Sequence, residues 1–352
     1  MRLEDFDYQL PQDRIAQHPL TPRDSSRLLV ISRKTGSLDQ ALFRDLPRFL
    51  QPGDLIVVND TRVKPLRLAG HKPTGARAEI TLVKRLASGQ WECLIKSRNL
   101  KPGAVINLDS GLSAEIVGGS ESLVRITAEE GAPLWIVKFS GADLEEALRT
   151  SGLPPLPPYI RRVPGQDAGE DRERYQTVYA RQGAAAAAPT AGLHFTPGLL
   201  DALRERGVET AGLRLDVSYG SFAPVRVRNI EDHVMHPEPF ELPEDTALAV
   251  ARARERGGRV VAVGTTVVRV LEHCAADART VRPAAGETGL FIFPGFSFKV
   301  VDAMITNFHM PRSTLLMLVS AFAGRELIMK AYQYALDSGF RFLSYGDATL
   351  IL

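Results

Sequence analysis

The feature that most narrows what this chain can fold into is a change of hydrophobic period along its length. From about residue 65 to 141 short strand-like segments follow one another: AEITLVKRL, QWECLIKSR, AVINL, SAEIVGG, SLVRITAE and WIVKFS. Gly, Pro, Asn or Ser separates them at short intervals, the pattern of a small all-β barrel. Downstream, apolar strands alternate with stretches of 3.6-residue periodicity, which predicts an α/β fold with a mostly parallel sheet and helices on its faces. Between the two patterns, LPPLPPYIRRVPG places five prolines in eleven positions, a stiff connector. The chain therefore reads as a discontinuous α/β domain, residues 1–63 and 153–352, interrupted by an inserted β-barrel domain, residues 64–152.

Local signals place the elements. RLLVIS (27–32) and DLIVVN (54–59) are predicted strands, and FRDLPRFL (43–50) a short helix. ADLEEALRTSG is a helix stopped by Gly152. In TPGLLDALRERG, Thr196 sits at an N-cap, Pro197 at the first helical position and Gly207 at the stop. LRLDVS (213–218) alternates as a strand, and a helix spans about 244–256. RVVAVG is a strand, and TTVVRVLEHCA opens a helix with Thr265 or Thr266 as its cap. GLFIF and VDAMITNF read as strands, and STLLMLVSAFAG as a helix with Leu315, Leu316, Leu318, Val319 and Phe322 in a stripe. A last helix (325–338) precedes the strand FRFLSYG.

Composition excludes several classes. The N-terminal MRLEDFDYQL has no apolar core of a signal peptide, and the longest greasy run, TLLMLVSAFAG, is far short of the roughly 20 residues that span a bilayer. Cys93 and Cys274, far apart and without a CxxC partner, support neither a disulfide framework nor a zinc cage. A cytoplasmic protein is expected. The net charge of +2 conceals strong polarity: residues 61–103 hold ten Lys/Arg against two acids, and residues 104–150 three against eight. A basic surface on a small barrel suits a phosphate backbone, although a solvated face has the same composition.

In an open α/β sheet, ligands gather beyond the strand ends. After LIVV come Asn59, Asp60, Thr61 and Arg62; before the Thr196-capped helix come Thr190, Gly192 and His194. After LRLDV come Ser218 and Tyr219; after VVAV, Gly264, Thr265 and Thr266; after MIT, Asn307 and His309; after FLS, Tyr345 and Asp347. Five greasy strands and one helix start, all flanked by hydroxyl, imidazole and carboxylate groups, favour a site over a purely structural role. Each piece alone has a plainer reading. His194 could bond its own loop, His309 could serve helix entry, and GTT is a common helix start. HVMH (233–236) has metal-like spacing but no third ligand in register. GAAAAAP is a tight-packing or flexible segment.

These same segments closely resemble a known family. YQTVYA with APTAGLHFT, EDHVMHPE, AVGTTVVRVLE, VVDAMITNFHMPRSTLLMLVSAFAG and FRFLSYGDATLI are similar to the S-adenosylmethionine:tRNA ribosyltransferase-isomerases of queuosine biosynthesis. PGDLIVVNDTRVKPLRL and LPPLPPYI extend the likeness upstream over nearly the whole chain. The resemblance implies an α/β domain interrupted by a barrel. It also implies transfer and isomerisation of the ribosyl portion of S-adenosylmethionine onto 7-aminomethyl-7-deazaguanine (preQ1) at the tRNA wobble position. Epoxyqueuosine-tRNA, adenine and methionine would result, with S-adenosylmethionine a consumed substrate and no resident cofactor or metal. The chain departs from the family's LHVGxGTFxPV: it reads LDVSYGSFAPV, with Asp216 for a histidine, Ser218-Tyr219 for small residues, and Ala223 for a longer polar side chain. Pro237 stands where serine is common.

That chemistry needs a base at the ribose C5′ beside the sulfonium, an acid for the leaving adenine, and a neutral attacking amine. Imidazoles, with an ordinary pKa of about 6.5, suit these transfers. The catalytic candidates are His194, His236 and His309, left unordered, with Glu238 as an alternative base. Substrate-binding candidates are Asp60, Arg62, Thr190, Gly192, Phe195, Tyr219, Thr265, Thr266, Arg269, Asn307, Tyr345 and Asp347. Phe195, Tyr219 or Asp347 would face the sulfonium, and the Thr265-Thr266 helix start would take the methionine carboxylate. RNA contacts are expected at Lys64, Arg67, Lys84, Arg85, Lys96, Arg98, Arg161 and Arg162, with Trp91 as a stacking platform. The segment 165–174 is a lid candidate, and a monomer is expected. Two other readings stay open: an enzyme of the same fold with a drifted substrate, and a non-catalytic RNA-binding protein.

Overall fold

A computed structural model of the chain describes residues 1–120, 133–162, 168–218, 225–277 and 279–352. In chain order the first strands are β1 (Arg27–Ile31), β2 (Leu38–Leu42) and β3 (Leu55–Asn59). Then come β4 (Arg67–His71), β5 (Arg77–Arg85), β6 (Trp91–Lys96), β7 (Val105–Leu108), β8 (Leu112–Gly119) and β9 (Trp135–Gly141). Helices α1 (Leu144–Ser151), α2 (Ala168–Arg174) and α3 (Pro197–Glu205) lead to β10 (Glu209–Leu215) and β11 (Glu238–Leu242). The remainder is α4 (Glu244–Glu255), β12 (Val260–Val263), α5 (Thr265–His273), β13 (Ala284–Thr288), β14 (Ala303–Asn307), α6 (Thr314–Ala323), α7 (Arg325–Asp337) and β15 (Ala348–Ile351).

Among the described residues β4 to β9 close into an antiparallel barrel in the order β4-β5-β6-β9-β8-β7. Its lining alternates as the pleat requires: Ile80 and Leu82 on β5 face in, with Ile106, Ala114, Ile116 and Val137 from the other strands. The segment SLVRITAE lies outside the described residues. The other strands form one nine-stranded mixed sheet, ordered β13-β11-β10-β3-β12-β14-β15-β1-β2. Its centre, β10-β3-β12-β14, is parallel, while β15 runs antiparallel to β14 and β1 parallel to β15. The fold is thus the α/β sheet with a separate β-barrel that the change of period predicts.

Both faces of the sheet are covered, which explains why its central strands are apolar throughout. Leu55 and Val57 of β3 join Val250, Val267, Leu316 and Ile328 of α4 to α7 on one face. Ile56 and Val58 join Leu199 and Leu203 of α3 and Phe43 and Leu46 of a short 3-10 helix on the other. Each such side chain contributes about 1.5–3 kcal/mol by burial. Helix starts follow the sequence signals at α3, where Thr196 Oγ1 accepts from Leu199 N (3.1 Å), and at α6, where Ser313 Oγ accepts from Leu316 N (3.2 Å). Leu316, Leu318, Val319 and Phe322 of the α6 stripe are buried, whereas Leu315 is exposed.

Three sequence expectations are corrected, and a fourth lies partly outside the described residues. GLFIF is not a strand; β13 lies just upstream, and the Leu290 carbonyl accepts from Arg269 Nε (3.0 Å). FRFLSYG is not a strand either: Leu343 adopts φ +70° and Gly346 N turns back to Leu343 O (2.9 Å), so extension begins only at Ala348. Helix α5 is capped by Gly264 at φ +92°, not by Thr265 or Thr266. Of the lid segment 165–174, residues 165–167 lie outside the described residues, and α2 is anchored by Asp171, which takes a bidentate bond from Arg162 (2.7 and 2.8 Å).

Candidate functional site

Strand directions put the polar strand ends on one edge of the sheet. The C-terminal ends of β10, β3, β12, β14 and β13 lie there together with the N-terminal ends of β11, β15 and β1. Tyr345 and Asp347 therefore precede a strand instead of following one, yet reach the same edge because β15 is antiparallel to β14. Three clusters follow along this edge.

The central cluster sits at the ends of β3, β10 and β12. Asn59 is a buried junction: its Nδ2 donates to Leu215 O (3.0 Å) and Thr266 Oγ1 (3.3 Å), and its Oδ1 accepts from Leu215 N and Thr61 N, both at 3.2 Å. Asp60 is part-buried beside Gly212, where a Cβ would lie 2.7 Å from its Oδ2. Burial raises its pKa above the ordinary carboxylate value, opposed by Arg181, 3.8 Å away. The Tyr179 hydroxyl is buried with no partner among the described residues, and Gly192 makes room for it, since a Cβ there would meet that oxygen at 2.0 Å. Asp216 accepts from Thr61 Oγ1 and from Ala184 N (3.2 Å), so the residue standing for the family's histidine ties the alanine tract to β3. The tract is packed: Ala186 N donates to Val217 O (2.9 Å), and Ala185 to Ala188 are buried. Among the described residues no side chain caps α5 at Gly264, so its first amides and its dipole suit an anion. Thr265 is buried there, and Thr190 is half-buried at the start of the turn carrying Gly192 and His194.

At one flank, Glu238 and Arg269 form an ion pair with side chains 1% and 6% exposed. Arg269 also donates to Leu290 O (3.0 Å) and Thr288 O (3.2 Å), and Ser218 N donates to Glu238 Oε1 (3.0 Å). The pair braces β11, α5 and β13. His236 is exposed on the loop before β11, and Tyr219 lies outside the described residues.

At the other flank, His194 is buried in its 3-10 turn, its ring stacked on Phe43 with centroids 4.9 Å apart. Its Nδ1 meets Ser26 Oγ at 2.7 Å and its Nε2 meets Asn307 Nδ2 at 3.2 Å. Burial, then the charges of Arg341 and Arg23, pushes its pKa down to about 3. Asp347 accepts from Arg27 N (2.9 Å) and Arg341 N (2.8 Å), and Tyr345 donates to Asp171 (3.1 Å). His309 is buried, bonded to Thr306 Oγ1 (3.0 Å), and burial pushes it down to about 3 as well.

The edge keeps His236 apart from His194 and His309. His194 sits by β14 and His236 by β11, four strand spacings apart, or about 19 Å. Phe195 is fully buried between Phe43 and Tyr179, so it faces no ligand. Arg269 is tied to Glu238, and Arg62 lies along the surface, donating to Ala180 O (3.1 Å). On the barrel, Lys64, Lys84, Arg85, Lys96 and Arg98 are exposed, as is Arg161 on the connector. Arg67 is buried against Glu79 (3.0 Å) and Arg162 against Asp171, so neither presents a free face to RNA; Trp91 is half-buried over the barrel core. Ser26, Arg23 and Arg341 escaped the sequence reading because strand direction is invisible there. Tyr179, inside YQTVYA, had only its repeated aromatic as a signal.

An α/β sheet with helices on both faces and a barrel beside it, carrying carboxylate, imidazole and hydroxyl groups along one sheet edge, is the frame of an enzyme. The family described as queuosine biosynthesis protein matches residues 3–351. A protein of Geobacter metallireducens named S-adenosylmethionine:tRNA ribosyltransferase-isomerase is 52% identical, covering all of both chains. One of the same name from Moorella thermoacetica is 50% identical with the same coverage. The crystal structure of S-adenosylmethionine tRNA ribosyltransferase from Thermotoga maritima matches with TM-score 0.55 and 38% identity, covering 99% of this chain and 100% of that one. The chain belongs to this queuosine biosynthesis family and is a transferase.

Proposed function

We propose that the chain transfers and isomerises the ribosyl moiety of S-adenosylmethionine onto preQ1 at the wobble position of tRNA, giving epoxyqueuosine-tRNA, adenine and methionine. The observation that carries this reading is the full-length identity of about half with ribosyltransferase-isomerases, on a sheet edge rich in proton-handling and anion-binding groups. S-adenosylmethionine is a consumed substrate, and the chain acts as a cytoplasmic monomer.

The α5 start at Gly264, Thr265 and Thr266 receives the methionine carboxylate, where uncapped amides and the dipole favour an anion. Asp60 takes the C5′ proton beside the sulfonium: burial raises its pKa, which makes it a better base than an ordinary exposed carboxylate. His194, neutral at physiological pH, acts as a fixed hydrogen-bonding wall at the Asn307 end. The inserted unit, residues 64–152, offers Lys64, Lys84, Arg85, Lys96 and Arg98 to the RNA backbone, with Arg161 continuing the track.

The experiment mixes the protein, S-adenosylmethionine and an anticodon stem-loop carrying preQ1, and follows RNA mass and free adenine together. Stoichiometric adenine release with a gain equal to the epoxycyclopentanediol group is the expected result. Binding of both substrates with neither change would overturn the reading in favour of a drifted substrate.

A further inference from the structure

A cavity of about 20 Å³ opens beside His194, lined among others by Arg23, Arg174, Arg341, Ser26 and Ser344. Its charge is unbalanced. Among the described residues Arg23 donates only to carbonyls, those of Gln176 (2.7 Å), Glu173 (3.1 Å) and Leu193 (3.4 Å). Arg174 donates to Thr21 Oγ1 (2.8 Å) and Leu20 O, and its buried Nε has no partner among the described residues. Among the described residues neither guanidinium has a carboxylate within ion-pair distance. The carboxylate beside Arg341 among the described residues, Asp347 at 4.0 Å, spends its oxygens on the backbone of Arg27 and Arg341. The field is felt locally, for Arg341 and Arg23 add to burial in depressing His194, and Arg174 adds to burial in depressing Arg23, an effect that Glu173 and Tyr345 oppose.

Three arginines lining one small cavity, with no carboxylate closer than Asp347 at 4.0 Å among the described residues, make a receptor for an anion's oxygens, which Arg forks match in pairs. The volume holds one or two water-sized groups, so it admits such oxygens and not a base or a sugar. We propose that this cavity binds a phosphodiester oxygen of the RNA substrate next to the reacting nucleotide, an inference that rests on the function proposed above. The methionine carboxylate has similar chemistry but carries an ammonium one carbon away, which three cations repel. The α5 start also lies three strand spacings from β1, about 14 Å, so the carboxylate and the phosphate have separate seats.

The test titrates a labelled preQ1 stem-loop against wild type, Arg174→Gln and Arg341→Gln over a salt series, with S-adenosylmethionine affinity measured in parallel. Arg204→Gln, exposed on α3, is the control, and thermal unfolding verifies that each variant is folded. Each cavity variant is expected to lose affinity and to flatten the slope of log K against log salt by about 0.7–1, with S-adenosylmethionine binding unchanged. Arg23→Lys, which keeps the charge but loses the fork, is expected to weaken binding with little change of slope. Wild-type slopes in folded Arg174→Gln and Arg341→Gln overturn the proposal. Weaker S-adenosylmethionine binding with unchanged RNA slopes also overturns it, assigning the cavity to the carboxylate. Failure of wild type to bind either substrate instead overturns the proposed function, and this inference with it.

Discussion

Asn307 Nδ2 donates both to the Leu343 carbonyl (3.0 Å) and to His194 Nε2 (3.2 Å), which fixes the imidazole in one tautomer. The carbonyl demands an N–H, so the amide turns its nitrogen toward the ring and Nε2 must accept. The ring proton then sits on Nδ1 and points at Ser26 Oγ (2.7 Å), whose hydroxyl passes on to Arg23 O (3.3 Å). Both ring nitrogens are thus engaged in a buried relay.

Asn307→Asp reverses this relationship. A carboxylate can only accept, so Nε2 gains a proton and the ring an anionic neighbour. The His194 pKa is expected to rise from about 3 by about one to two units, read from imidazole nitrogen shifts by NMR. A titration unchanged from wild type would show that Asn307 does not govern the ring.

Burial of neutral His194 and His309 also makes stability depend on pH. Both folded values, about 3, lie below the unfolded value of about 6.5, so the unfolded chain binds more protons between those limits. Their contribution is complete above about pH 6.5 and is lost as pH falls. Each adds a slope of about 1.4 kcal/mol per pH unit across most of that window. Urea unfolding between about pH 6.5 and about pH 4 should show His309→Gln losing one such slope relative to wild type. Parallel stability curves for the two proteins would contradict the buried neutral state of His309.

The legibility of this fold and site follows from what local pattern can encode. The barrel and the sheet were readable because a two-residue alternation and strand–helix alternation are written in apolar spacing. Asn59, Gly264 and Asn307 were findable as residues just past apolar runs. Pairing direction is not local. Ser26 precedes β1 and Asp347 precedes β15, and only the antiparallel junction of β14 and β15 brings them to the edge that carries Asn307. Charge type likewise failed to show partners. Arg67, Arg162 and Arg269 look free in sequence, but Glu79, Asp171 and Glu238 claim them across 12, 9 and 31 positions.

The contact between Gly192 and Tyr179 predicts a rescue. A methyl group on Gly192 would meet the Tyr179 oxygen at 2.0 Å and Thr177 Cγ2 at 2.8 Å. Gly192→Ala is expected to destabilise by about 1–3 kcal/mol through overpacking. Because Tyr179 OH has no partner among the described residues to lose, Tyr179→Phe should recover part of that cost. A double-mutant cycle by denaturant unfolding measures the coupling; strict additivity would mean that the strain lies elsewhere, at Thr177.

Glu238 separates a bracing role from a catalytic one. Its carboxylate is held by Arg269 and by Ser218 N, and the pair is almost wholly buried. Glu238→Gln keeps the shape but leaves the Arg269 charge without its counter-ion, a change that costs about 3–5 kcal/mol in buried pairs. The variant is therefore expected to unfold at markedly lower denaturant, while at low temperature the folded fraction retains most of its turnover. Arg269→Met alone should destabilise comparably, because it strands the opposite charge. The joint change Glu238→Gln with Arg269→Met should cost less than the sum of the two, since no charge is left unpaired. A Glu238→Gln protein as stable as wild type but without turnover would instead identify Glu238 as the proton acceptor and leave Asp60 without that part.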